Sequence, residues 1–269
     1  MTCSPWRCSV RPCLLLALLA VCQAVYARAA EPATAGLARL ADKYGVQVVV
    51  DKEPFPVKTA HGAIDGKAAS REELRAYVPL LLFEFNLYPR DLVKKTELKR
   101  IVLCKDLTFG GQRRNAVPDF EHNTLYLEVA RGRHSGPYMR RVIHHEFFHI
   151  IDLRDDGELY RDERWAALNG KGFRYGAGGK EAQGDATVSL AGGAAPGFVN
   201  RYSMTAVEED KAEVFAHMMV GYDQLEKRAT RDRVLGLKVR RMAGLLERFS
   251  PAVDRGFWQR VRRLRRQMS

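Results

Sequence analysis

The stretch Ile143-His144-His145-Glu146-Phe147-Phe148-His149-Ile150-Ile151-Asp152 constrains this chain more than any other. Its apolar residues recur as on a helix that is buried nearly all round. Within them His145 and His149 stand four apart, one helical turn on the same face. Glu146 lies about a hundred degrees further round. Two imidazoles so placed can converge on one metal ion, with the carboxylate in reach of a water bound to it. The plainer reading is a core helix whose histidines bond to neighbours. Burying two histidines and a glutamate is costly unless each polar atom finds a partner, and the metal supplies one to both histidines at once.

A catalytic zinc takes three protein ligands and leaves one position open. No G-x-x-H follows His149, so a third histidine in that arrangement is excluded. The candidates are Asp152, seven residues from His145 on the same face, and the acids of "VEEDKAEVFAHM" (207–218). There Glu209 and Glu213 share a face, so one can bind metal while the other orients a histidine. Glu208 points off that face, and His217 reads as structural.

Around these residues the chain reads as mixed helix and strand. Residues 34–44 and 70–86 have helical spacing, the second with Ser70 and Glu73 as a capping box and with Pro79 inside it, where a kink or break is expected. "VQVVV" (46–50), "LKRIVLC" (98–104) and "NTLYLEV" (123–129) read as strands. The segments between them, one with Pro54 and Pro56 and one reading "FGGQRRNAVPDF", read as loop and turn. The metal helix is expected over 138–153, with Ser135 as its cap and Pro137 in its first turn. Residues 169–200 are Gly- and Ala-rich and lack the strand and Gly-Lys-Ser/Thr of a phosphate-binding loop, so they read as a surface loop. Helices follow over 206–222, 230–248 and 252–266.

The N-terminus fits an export signal: Arg7 and Arg11, then the apolar run Cys13–Val25, too short for a stable span, then Ala27-Arg28-Ala29. Residues 1–29 are therefore expected to be removed, which places the protein outside the cytoplasm. A retained anchor, or lipid attachment at Cys22 despite the unsuitable Val21, are the alternatives. Four of the five cysteines lie in this leader, so the remainder, with Cys104 alone, forms no internal disulfide.

The chain carries a net charge of +12. The leader holds three arginines and no acid, which leaves +9 after its removal. Residues 224–269 hold 14 basic and 4 acidic side chains, so the rest of the mature chain is close to neutral. This basic extension reads as packed amphipathic helices with arginines outside, or as a means of docking to an anionic surface. No base-reading motif appears, and nucleic acid is not an expected partner.

"YSMTAVEEDKAEVFA" (202–216), following the His145–His149 helix, resembles the catalytic domain of the gluzincin metallopeptidases. It is most similar to the lethal-factor type and to little-characterised bacterial zinc-binding metallopeptidases. Tyr202 precedes Glu209 by seven residues, and Ala212-Glu213-Val214-Phe215 completes the pattern. The likeness covers roughly residues 98–220. It implies an α+β zincin-like domain over 30–223, with a small mixed sheet and C-terminal helices. It implies one zinc held by His145, His149 and Glu209, with Glu146 as general base. Glu213 would stand behind a histidine ligand, and Tyr202 would donate to the oxyanion. The substrate would be a peptide, held along "NTLYLEV" if that strand forms the sheet edge. Many gluzincins carry an aspartate where Glu213 stands, and Asp152 is an additional acid that could orient His149, cap a loop or replace Glu209.

Overall fold

A computed structural model of the chain describes residues 35–51, 55–131, 135–176 and 195–268. The expected leader lies outside them, as does the 177–194 part of the Gly/Ala-rich stretch. Among the described residues no helix is long and apolar enough to cross a membrane.

A helix over residues 35–44 (α1) leads into β1 (Gln47–Val49), a hairpin of β2 (Val57–Thr59) and β3 (Gly62–Ala68), then α2 (Arg71–Asn86) and α3 (Arg90–Lys95). Strands β4 (Arg100–Phe109), β5 (Gln112–Arg113), β6 (Ala116–Asp119) and β7 (Thr124–Glu128) precede α4 (Gly136–Asp156) and the short α5 (Glu163–Ala166). The chain ends with α6 (Val207–Ala229), α7 (Arg233–Phe249) and α8 (Arg255–Arg266). The mixed sheet has the order β2-β3-β4-β7-β6, with β1 parallel to β4 and β5 folded back on its end.

Alternation along β4 and β7 divides their side chains between two layers. Ile101, Leu103, Leu125 and Leu127 face the helices in the main core, while Val102, Cys104 and Tyr126 join a smaller cluster on the other face. Cys104 is thus a buried core residue. The hairpin β2–β3 forms where a loop is expected, and β5 and β6 form within the expected turn. Both regions are short and poor in alternating apolar residues. Pro118 sits in β6, the outer strand, where a missing N–H breaks no ladder bond. "NTLYLEV" lies between β4 and β6, so it is an internal strand and not the edge available to a peptide.

Helix α2 starts with the capping box expected of it: Ser70 Oγ accepts from the Glu73 amide at 3.2 Å, and the Ser70 amide donates to Glu73 Oε2 at 2.6 Å. It does not break at Pro79. Pro79 is exposed, while Tyr77, Val78, Leu81 and Phe85 bury the opposite face, so packing outweighs the single backbone bond that proline removes. Helix α4 packs on α2, α6, β6 and β7. It runs three residues beyond the expected end and stops at Gly157, whose φ of 81° is the left-handed cap that glycine accepts most readily.

The basic extension begins three residues after a kink at Gly221 and packs into the body of the fold. Residue 224 lies inside α6, and Leu235, Met242 and Leu246 of α7 and Phe257 and Val261 of α8 share one core with Ile143 and Phe147. Several of its cations are paired with acids, two of them at the surface and one inside. Arg262 bonds to Asp223 and Glu226, and Arg266 to Asp223. Arg265 reaches Glu84 of α2, which is fully buried and also accepts from Arg140 and lies 2.8 Å from His144 Nε2. One carboxylate thereby joins α2, α4 and α8.

Candidate metal centre

The site forms where α4 and α6 lie side by side. Each contributes a pair of residues four apart: His145 and His149, Glu209 and Glu213. The apolar residues between them, Phe147, Phe148, Val214 and Phe215, are at most 1% exposed and hold the two faces in register. In its first turn α6 presents three acids, Glu208, Glu209 and Asp210, which suits the positive end of a helix.

His145 Nε2 lies 2.9 Å from Glu209 Oε2 and 3.2 Å from His149 Nε2, and His149 Nε2 lies 3.6 Å from the same Glu209 oxygen. A tetrahedral ion with bonds of about 2.0–2.1 Å keeps its ligand atoms about 3.3 Å apart. The three separations bracket that value, and two imidazoles with a carboxylate are a donor set suited to zinc. The residues therefore fit the ion. Asp152 is not among the atoms that converge.

Behind His145, Glu213 Oε1 stands 2.9 Å from Nδ1. Asn200 Nδ2 donates to the other Glu213 oxygen at 2.6 Å. The same Asn200 accepts from the Ser203 amide at 2.9 Å and so closes the turn that carries Tyr202. The Tyr202 ring is buried, 5.9 Å from the His145 ring. Nothing in the sequence pattern singles out Asn200, because a loop and not a helical repeat delivers it. His217 Nδ1 lies 2.8 Å from the Glu213 carbonyl oxygen, one turn back on α6, in keeping with a structural role.

Asp152 is held elsewhere. Lys211 Nζ lies 2.5 Å from it and 3.2 Å from Asp162 Oδ2. The Asp152 carboxylate makes no hydrogen bond to His149, whose Nδ1 is buried without a partner among the described residues. Asp152 shares the face of α4 that carries the two histidines, but Lys211 of the neighbouring helix occupies the acid. Glu208, expected in solvent, is half-buried.

Burial alone would raise the Glu209 carboxyl, yet its bonds to His145 and His149 hold it well below the carboxylate range. Burial would lower His145, but Glu209 and Glu213 together push it well above the usual imidazole value. In Glu146 burial dominates and raises the carboxyl, only partly offset by the two histidines. A carboxyl of raised basicity beside a candidate metal centre is a candidate proton carrier.

No family model matches the chain, and no curated protein does. A crystal structure of a "putative zinc-binding metallo-peptidase" from Bacteroides caccae superposes with a TM-score of 0.54 at 17% identity, covering 87% of this chain and 93% of that one. The likeness extends across nearly both chains, and the α+β zincin-like fold expected from the sequence is the fold this chain has.

Proposed function

We propose that this protein is an exported zinc-dependent metallopeptidase that hydrolyses peptide bonds. The observation that carries the reading is the convergence of His145 Nε2, His149 Nε2 and Glu209 Oε2 within 3.6 Å, with Glu146 on the adjoining side of the same helix. The name given to the Bacteroides caccae protein of like fold supports it. Export rests on the leader, residues 1–29.

His145, His149 and Glu209 would hold one zinc ion per chain. Bound there, zinc supplies an acidic water and polarises a carbonyl. Glu146 takes the proton from that water as it attacks the peptide carbonyl and passes it to the leaving amine. Tyr202 donates its O–H to the oxyanion as charge develops there. Glu213 fixes the orientation of His145 and makes it a stronger donor, and Asn200 in turn fixes Glu213. A protein or peptide is the substrate. The exposed Arg240 and Arg248 of α7 and Arg263 of α8 remain for an anionic surface, the second expected partner.

The test is zinc content and peptide hydrolysis measured together on wild type and Glu146→Gln. The expected outcome is one zinc in both, with turnover only in the wild type. A wild type that binds zinc and cleaves no peptide in a broad library would point to a non-peptidase or non-catalytic zinc protein. A wild type that binds no zinc after metal loading would end the enzyme reading.

A further inference from the structure

A cleft of about 650 Å³ opens between the start of α4 and the second half of α6, closed on one side by the end of α8. Its polar lining is Arg140, Arg141, His217, Gln224, Arg228 and Arg265. Among the described residues the lining contains no acidic side chain. Arg140 and Arg265 share the single carboxylate of Glu84 behind the wall. Arg228 is held by the backbone carbonyls of Phe198 and Val199, which fix its position and leave its charge uncompensated. Arg141 has no partner among the described residues and is half-buried. Among the described residues, four guanidinium groups stand around one cavity with one carboxylate behind its wall, an excess of positive charge.

Two features of the backbone add to this. Helix α4 begins at the cleft with Gly136 and Pro137, and Ser135 makes no side-chain hydrogen bond to its first turn. The positive end of a 21-residue helix therefore faces the same space. Helix α6 bends at Gly221, where φ and ψ are −143° and 44°, and that bend swings Gln224 and Arg228 across toward Val199 and gives the cleft its concavity.

We propose that this cleft is a binding site for a phosphate-bearing small molecule. Its volume lies within the range of small-ligand sites. Several guanidinium charges beside a helix start favour a dianion over a singly charged carboxylate. The cleft lies beyond Glu213 and His217 from the converging histidines, and none of His145, His149 and Glu209 lines it. The site is therefore distinct from the proposed metal centre and does not depend on the peptidase reading.

The experiment is calorimetric titration of the full chain with inorganic phosphate and pyrophosphate at fixed ionic strength, beside vesicles of phosphatidylglycerol. Wild type, Arg141→Gln, Gln224→Glu and Arg260→Gln are compared. Arg141 and Gln224 make no described bond that the fold needs, and Gln224→Glu carries the test if Arg141→Gln fails to fold. Arg260 is exposed on α8 outside the cleft lining and controls for net charge. The expected result is saturable binding of the free anions that weakens about tenfold or more in the two cleft variants and is unchanged in Arg260→Gln. Absence of binding, equal loss in all three variants, or binding to vesicles alone would overturn the proposal.

Discussion

At the scale of single residues, the divergent fates of Glu209 and Asp152 show what helical spacing can and cannot reveal. The pair His145 and His149 was legible because both lie on one helix, where position follows from a period of 3.6. The third carboxylate had to come across an interface, and two acids met the spacing requirement. Lys211 separates them: it stands 2.5 Å from Asp152 in a fully buried pair, while Glu209 is left to the histidines. Asp152→Asn is therefore expected to keep its zinc and to lose about 1–3 kcal/mol of stability, because Lys211 then keeps only Asp162 as a carboxylate partner. Zinc content and a urea midpoint measured on the same preparation check it, and loss of zinc with stability unchanged would return Asp152 to the ligand set. Tyr202→Phe is expected to lower kcat by about a hundredfold with KM and zinc content unchanged, as removal of one oxyanion donor does. A change in KM alone would make Tyr202 a packing or substrate-binding residue instead.

At the scale of elements, the long helices and the strands β1, β4 and β7 were legible, while the short helices α3 and α5 and the strands β2, β3, β5 and β6 were not. Helix α2 carries its own start signal in Ser70 and Glu73, and α4 its stop in Gly157. Strands β3 and β6 read "GAIDGKA" and "AVPD", and they exist because a neighbouring strand completes their hydrogen bonds, a condition no local pattern records. The lone acid in the apolar run Leu80 to Phe85 was a signal of another kind, since a carboxylate on a buried face demands cations. Burial would raise Glu84, but Arg265 and His144 bring its carboxyl down from 4.5 to about 2. A carboxyl depressed in the folded state stabilises the fold fully above its unfolded value near 4.5, and that contribution disappears as the pH falls toward 2. The shift corresponds to roughly 3 kcal/mol. Glu84→Gln is accordingly expected to be far less stable than wild type at pH 7, with the gap narrowing steadily between pH 4.5 and 2. Urea titrations of both proteins across that range test it. A gap independent of pH would show that the ion pairs contribute nothing and that the side-chain amide simply fits worse.

At the scale of the whole molecule, composition misleads in one respect. Nearly all the excess charge lies in the last 46 residues, which invites their reading as an appended module. Charge counts record which side chains are present but not what they meet. In the fold Arg262, Arg265 and Arg266 turn toward Asp223, Glu226 and Glu84, and the apolar stripes of α7 and α8 pass into the same core as α4. Leu235, Met242, Leu246, Phe257, Trp258 and Val261 are all at most 6% exposed. At about 1.5–3 kcal/mol for each such side chain, these six alone contribute on the order of 10 kcal/mol, comparable to the whole net stability of an ordinary domain. Deletion of residues 224–269 also cuts α6 six residues before its end and leaves Arg140 as the one guanidinium paired with Glu84. The truncated chain is therefore expected to lose cooperative unfolding and zinc binding together, with no folded, active core left behind. Circular dichroism on heating, run beside metal analysis of the truncated chain, decides the matter. A truncated protein that melts sharply and keeps its zinc would mean that the site-bearing domain ends near residue 223 and that the basic helices are separable from it after all.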